Sequence, residues 1–194
     1  MRTFILTSAA LLTVTGCSAE RVVNTGEWET VTATTTTVTP SLPPTNPAHL
    51  ANAFDFVQNP NGQAAYYFST PSGRWQCAIL PRDKAGCQAN GGALNIAGAP
   101  DTVPTDTGGQ SAPNAVVLDP TGDAHFAALD QANFTPPEAA NVLPFNRTLA
   151  VARFRCNIQE ATGVSCLSEE SGAGFTFSAD GLLPQYNEVP LDAP

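Results

Sequence analysis

Two cysteine pairs constrain this chain more than any other feature. Cys77 is followed by Cys87, and Cys156 by Cys166, each ten positions on. The flanking residues repeat as well. Arg74-Trp75-Gln76-Cys77-Ala78-Ile79 is similar to Arg153-Phe154-Arg155-Cys156-Asn157-Ile158. Beyond the second Cys of each pair lie Gly91-Gly92-Ala93-Leu94-Asn95-Ile96 and Gly172-Ala173-Gly174-Phe175-Thr176-Phe177, offset by two residues. Side chains two apart in a strand share a face. Trp75 and Phe154 are therefore each expected beside their own Cys pair. The physical reading is two similar hairpins.

The fifth Cys, Cys17, stands apart near the N-terminus. The other four allow three connectivities. Their spacing favours Cys77–Cys87 and Cys156–Cys166. Closing a loop of this length is worth about 2.8 kcal/mol in the chain-entropy account of disulfides. Zinc is the rival use of four Cys, but no Cys-x-x-Cys pair is present, and an exported chain keeps few free thiolates. No metal and no cofactor is expected.

Around the hairpins the pattern reads as short strands punctuated by turns. Ala65 to Ser69 ends at Thr70-Pro71-Ser72-Gly73, and Arg74 to Leu80 follows. Ala115 to Leu118 and Ala124 to Leu129 flank Asp119-Pro120-Thr121-Gly122-Asp123, which has hairpin-loop chemistry. Leu149 to Ile158 reads as one strand, and Val164 to Leu167 and Gly174 to Ser178 complete the set. Asn46-Pro47 predicts a short helix through about Phe56, with Leu50, Ala53, Phe54 and Val57 on one face. Residues 97–114 read as a long loop, and Thr135 to Leu143 as holding one helical turn. The fold class expected is all-β or β-rich: a small antiparallel sandwich or barrel of hairpins, with two disulfides and at most one or two short helices.

The N-terminus carries an address. Met1-Arg2 is a positive start, and Phe4 to Leu12 is apolar or small. Nine residues fall far short of the ~20 that span a bilayer as a helix. They suit a secretory signal peptide. The run ends in Val14-Thr15-Gly16-Cys17, which resembles a bacterial lipobox. The reading is a signal peptide over 1–16 and a lipid on the Cys17 thiol. Two acyl chains hold a protein to a membrane where one is marginal. Residues 17–46 follow as a stalk. Residues 18–46 hold nine Thr, and Pro40, Pro43 and Pro44 stiffen the end of the segment. Trp28 is their only aromatic residue, too little apolar surface to offset the entropy of ordering. The competing reading makes Trp28 to Thr39 an edge strand, since Val and Thr alternate there. The folded domain is placed at 47–188 and a tail at 189–194.

Charge narrows the partners. Eight Lys and Arg stand against 17 Asp and Glu, a net charge of −9. Nucleic acid is excluded, because phosphate neutralisation needs clustered Lys and Arg. The expected location is the extracytoplasmic face of the cell membrane, reached through the lipid anchor.

Ser69-Thr70-Pro71-Ser72-Gly73-Arg74-Trp75-Gln76-Cys77 resembles the Ser-Pro-Ser-Gly-Asn-Ile-x-Cys opening of a domain of unknown function. That domain is widespread in small secreted and lipid-anchored actinobacterial proteins. Val142-Leu143-Pro144-Phe145-Asn146, Phe154-Arg155-Cys156, Thr162-Gly163-Val164-Ser165-Cys166 and Gly172-Ala173-Gly174-Phe175 are similar to its later motifs. The similarity covers residues 66–179. Ala173 stands where the family has His. The resemblance implies an exported, disulfide-bonded domain and brings no activity with it.

Chemistry-bearing motifs are sparse. There are two His. His49 lies at the stalk boundary and His125 follows Gly122-Asp123. No Gly-x-Ser-x-Gly elbow and no His-Glu-x-x-His is present. Asp123 and His125 could form a dyad with a distant Ser, which makes an envelope hydrolase the alternative reading. Arg153 and Arg155 read as sharing a strand face, with pairing to acids expected over binding an anion. No catalytic, cofactor-binding or metal residue is assigned. The leading expectation is a lipoprotein whose domain is a binding or accessory module for an envelope component or protein partner. A purely structural surface protein is the third reading.

Overall fold

The structure is a computed structural model, and it describes residues 42, 44–91, 94–129 and 133–194. Cys17, the signal peptide and the stalk up to residue 41 lie outside the described residues. The described residues belong to one compact unit.

Alternating apolar residues build two antiparallel sheets. The first contains β1 (Val57–Gln58), β2 (Ala65–Ser69), β3 (Trp75–Leu80), β4 (Lys84–Ala89), β7 (Ala115–Leu118) and β8 (His125–Ala127), hydrogen-bonded in that order. A short β9 (Asn141–Val142) runs parallel to the end of β2. A separate two-stranded ribbon, β5 (Val103–Pro104) with β6 (Gln110–Ser111), interrupts the long loop read over 97–114. The second sheet is a meander of β10 (Thr148–Val151), β11 (Phe154–Gln159), β12 (Gly163–Ser168), β13 (Gly174–Ser178) and β14 (Gly181–Leu183).

Both disulfides form within a hairpin. Cys77 on β3 lies opposite Cys87 on β4, with Cα atoms 4.0 Å apart, and Cys156 on β11 lies opposite Cys166 on β12 at 4.1 Å. The two sheets share one core, so the fold is a sandwich. Phe68, Ile79, Val116 and the first cystine meet Leu149, Phe154, Phe175 and the second cystine. Trp75 packs against this core, and its ring meets Phe177 of the opposite sheet edge-on at 4.8 Å.

Three sequence expectations are corrected. The strand read over Leu149 to Ile158 is two strands. Ala152 and Arg153 turn between them with φ of 49° and 65°, the left-handed conformation that a two-residue type I′ hairpin turn demands. Neither residue is a usual turn former, so the break was invisible. Arg153 consequently sits in the turn and not on the strand face of Arg155. The helix read from Pro47 to about Phe56 is two 3-10 turns, Pro47–His49 and Ala53–Asp55. Asn52 divides them: its Oδ1 accepts from Phe54 N and starts a new cap. No helical turn lies within Thr135 to Leu143. There Asn141 and Val142 extend to pair with Phe68 and Ser69. In the segment read as a tail, Val189 is buried and Ala193 O lies 3.2 Å from His49 Nε2.

Candidate functional site

The inner faces are fully used by the core, so function must come from outer faces, edges and loops. The outer face of the first sheet is apolar. Ala65, Tyr67, Ala78, Ala115 and Val117 surround the fully buried Phe134. A Cβ at Gly86 would lie 2.3 Å from Val116 O and 2.9 Å from the Phe134 ring. Only glycine leaves room for that ring.

The outer face of the second sheet is polar. The segment from Gln185 to Val189 crosses it and is held by hydrogen bonds. Asn157 Nδ2 donates to Tyr186 Oη at 3.0 Å and to Asn187 O at 2.9 Å. Gln159 Nε2 donates to Asn157 Oδ1 at 3.0 Å, and Thr176 Oγ1 donates to Gln185 O at 2.8 Å. Burial pushes the Tyr186 phenol well above its ordinary range, and the charge of Glu188 adds to the shift. Burial also raises the Glu188 carboxyl, opposed by the Val189 backbone N–H and by Arg155. Glu188 Oε2 is buried without a hydrogen-bond partner. Asn157, Gln159 and Thr176 are thus engaged in holding the strap against the sheet.

The expected pairing of the arginines holds. Arg155 Nε donates to Glu169 Oε1 at 2.5 Å, and Arg153 lies 3.6 Å from Glu170. Arg155 also donates to Thr45 Oγ1, which fastens the end of the segment read as stalk to the domain.

The structure brings Asp123 and His125 near one another without making a dyad. His125 is exposed, and its Nδ1 lies 3.2 Å from the backbone oxygen of Asp123. Asp123 lines a 330 Å³ cavity with Leu167, Ala173, Gly174 and Tyr186, in which neither His125 nor a Ser takes part. Among the described residues no group of three His, Cys, Asp or Glu is placed to hold a metal ion.

A different site was missed by the sequence reading. Leu50, Phe54, Val142 and Phe145 are exposed, Phe54 at 86%. Leu50 and Val142 line a groove of 410 Å³, together with Ala51, Phe56, Pro144 and Arg147. Asn52, Asp55 and Phe56, in and around the 3-10 turn at Ala53–Asp55, form one wall, and the same turn carries the exposed Phe54. Asn141 Nδ2 donates to Asp55 O at 2.5 Å, and Arg147 Nη1 donates to Ala48 O, which ties the two walls together. No His, Ser or Cys lines this groove. Its chemistry is that of a docking surface: apolar walls, large exposed side chains and one positive and one negative group at the rim. Among the described residues no helix is long and apolar enough to cross a membrane. No protein family, no curated protein and no solved structure matches this chain.

Proposed function

We propose that the chain is a lipoprotein of the extracytoplasmic face of the cell membrane, anchored through Cys17, whose sandwich is a binding module for a protein partner in the envelope. The apolar groove beside Leu50 and Val142 carries the second half of this reading. Leu50, Phe54, Val142 and Phe145 are 41–86% exposed, and fully burying a large apolar side chain that starts in water yields about 1.5–3 kcal/mol. The lipobox-like Val14-Thr15-Gly16-Cys17 carries the first half, and two cystines suit an oxidising compartment. The resemblance to a domain of exported actinobacterial proteins points the same way.

Two readouts test the two halves separately. Cys17→Ala is expected to abolish incorporation of labelled palmitate; normal labelling of that variant removes the anchor from the account. A photo-crosslinking residue in place of Phe54, in the full chain in intact envelopes, is expected to give one dominant adduct that Leu50→Ser with Val142→Ser eliminates. The same residue in place of Leu183, exposed on β14, is the control. Equal adducts at both positions, or an adduct indifferent to the groove substitutions, overturn the docking surface.

A further inference from the structure

The internal repeat places the start of each hairpin against the tip of the other, and the two resulting ends differ in charge. Arg74 and Arg153 are equivalent positions, each preceding the aromatic residue of its repeat. Arg74 lines a 250 Å³ hollow with Glu160, from the tip of the β11–β12 hairpin. Arg153 lines a 770 Å³ groove with Arg82, from the tip of the β3–β4 hairpin. One end thus sets a single arginine against a carboxylate, and the other brings two arginines together with the Asp83 carboxylate also on the lining.

The two arginines also share a second hollow of 400 Å³ beside Ser168 and Glu170. Their charge is poorly answered by the protein. Among the described residues no acid lies within ion-pair distance of Arg82; Asp83 lines the same groove and meets Lys84 at 3.7 Å. Arg153 meets Glu170 at 3.6 Å, with both side chains largely in water, a contact worth little. Backbone geometry adds an independent observation. Arg82 and Arg153 both hold φ of 65°, a conformation that Gly or Asn adopts at lower cost. Each turn requires positive φ at that position, the first after Pro81 and the second after Ala152. Arginine is the more strained way to fill either position, and both residues line the same groove. Asn61 and Gln63 line it too, supplying amides, with Pro60 and Pro81 as apolar wall.

We propose that the groove between the β3–β4 tip and the β10–β11 turn binds an oxyanion, a phosphate or carboxylate, through the guanidinium forks of Arg82 and Arg153. Planar guanidinium groups match such oxygens in pairs. This surface is separate from the apolar groove, and the proposal does not rest on the anchor or on the docking partner. The oxyanion has two sources, a free anion or a group carried on a sugar chain that also meets the Asn61 and Gln63 amides.

The test uses the full chain carrying Cys17→Ala, titrated at low ionic strength with inorganic phosphate, trigalacturonate and neutral maltotriose while the arginine Nε resonances are followed. Phosphate and trigalacturonate are expected to shift Arg82 and Arg153 and to leave Arg74 in place, and maltotriose to shift none of them. Arg82→Gly with Arg153→Gly removes the charge while suiting the positive φ, so the fold is kept. Near-UV circular dichroism checks this. That variant is expected to weaken anion binding about tenfold or more, and Arg74→Gly to leave it unchanged. Trigalacturonate binding more tightly than phosphate assigns the sugar-borne source, and equal affinity assigns the free anion. Absence of shifts at Arg82 and Arg153, equal shifts at Arg74, or unchanged affinity in the double variant overturns the site.

Discussion

The two sheets share a plan on the inside and depart from it on the outside. Each carries a hairpin with a cystine, and each presents aromatic and aliphatic residues to the common core. Outside, the first sheet is sealed by an apolar plug, Phe134 on Gly86. The second is sealed by a strap whose backbone carbonyls are caught by Asn157, Gln159 and Thr176. A glycine makes room in both cases: a Cβ on Gly174 would lie 2.9 Å from Tyr186 Cβ. The difference follows from residue types at equivalent strand positions. Ala78 in the first repeat corresponds to Asn157 in the second, one residue after the Cys in each. An apolar outer face is closed by the hydrophobic effect and needs only shape. A polar outer face must satisfy every buried donor and acceptor, so its cover is fixed in register by named hydrogen bonds.

Perturbing each cover should expose that contrast. Phe134→Ala removes a fully buried ring from a well-packed face. It is expected to cost about 3–5 kcal/mol, read from denaturant unfolding with an unchanged slope. A cost under about 1 kcal/mol would show that the plug is not what seals the first sheet. Asn157→Ala takes the Asn157 donor from the Tyr186 hydroxyl and leaves the Asn187 carbonyl only that of Gln159. The expected cost is about 2 kcal/mol, with amide exchange accelerated along 185–189 and not around Phe134. Uniform acceleration over both sheets would erase the distinction between plug and strap. Glu188→Gln has the smallest effect and concerns pH. The folded-state pKa of Glu188 is raised by burial, so folding favours its protonated form. The stability this contributes is complete below the unfolded pKa and is lost as pH rises through the folded one. The Gln variant is therefore expected to gain slightly on the native chain at neutral pH and to flatten the stability profile above about pH 4.3, the ordinary glutamate value. A profile of unchanged slope would place Glu188 in water.

Much of the sandwich was legible because its signals are local. Cysteine spacing marked both hairpins, and alternation around Tyr67, Cys77, Val116, Val164 and Phe175 marked strands. What escaped did so for identifiable reasons. The turn at Ala152–Arg153 has no Gly, Asn or Asp, and its positive φ values are imposed by the two flanking strands. The 141–142 strand is too short to carry a pattern and exists only because β2 offers it an edge. The apolar groove was hidden by the helical period itself. Leu50 and Phe54 fall on one face of a predicted helix, but the first turn ends at Leu50 and Asn52 caps a second one, and both side chains are exposed. The Arg82–Arg153 groove needs two turns 71 residues apart in sequence to meet, a long-range fact that no local pattern records.

The account stands on two sheets each stapled within itself, and a peptide map without reduction tests this most directly. Trypsin cuts after Lys and Arg, giving Trp75–Arg82 with Cys77, Ala85–Arg147 with Cys87, and Cys156–Pro194 with Cys156 and Cys166. In protein kept acidic against thiol exchange, local pairing predicts that the first two peptides travel as one disulfide-linked species. The third then travels alone, two hydrogens lighter than its dithiol. A covalent species of all three peptides would mean that the cystines bridge the sheets, and would contradict the two-hairpin architecture.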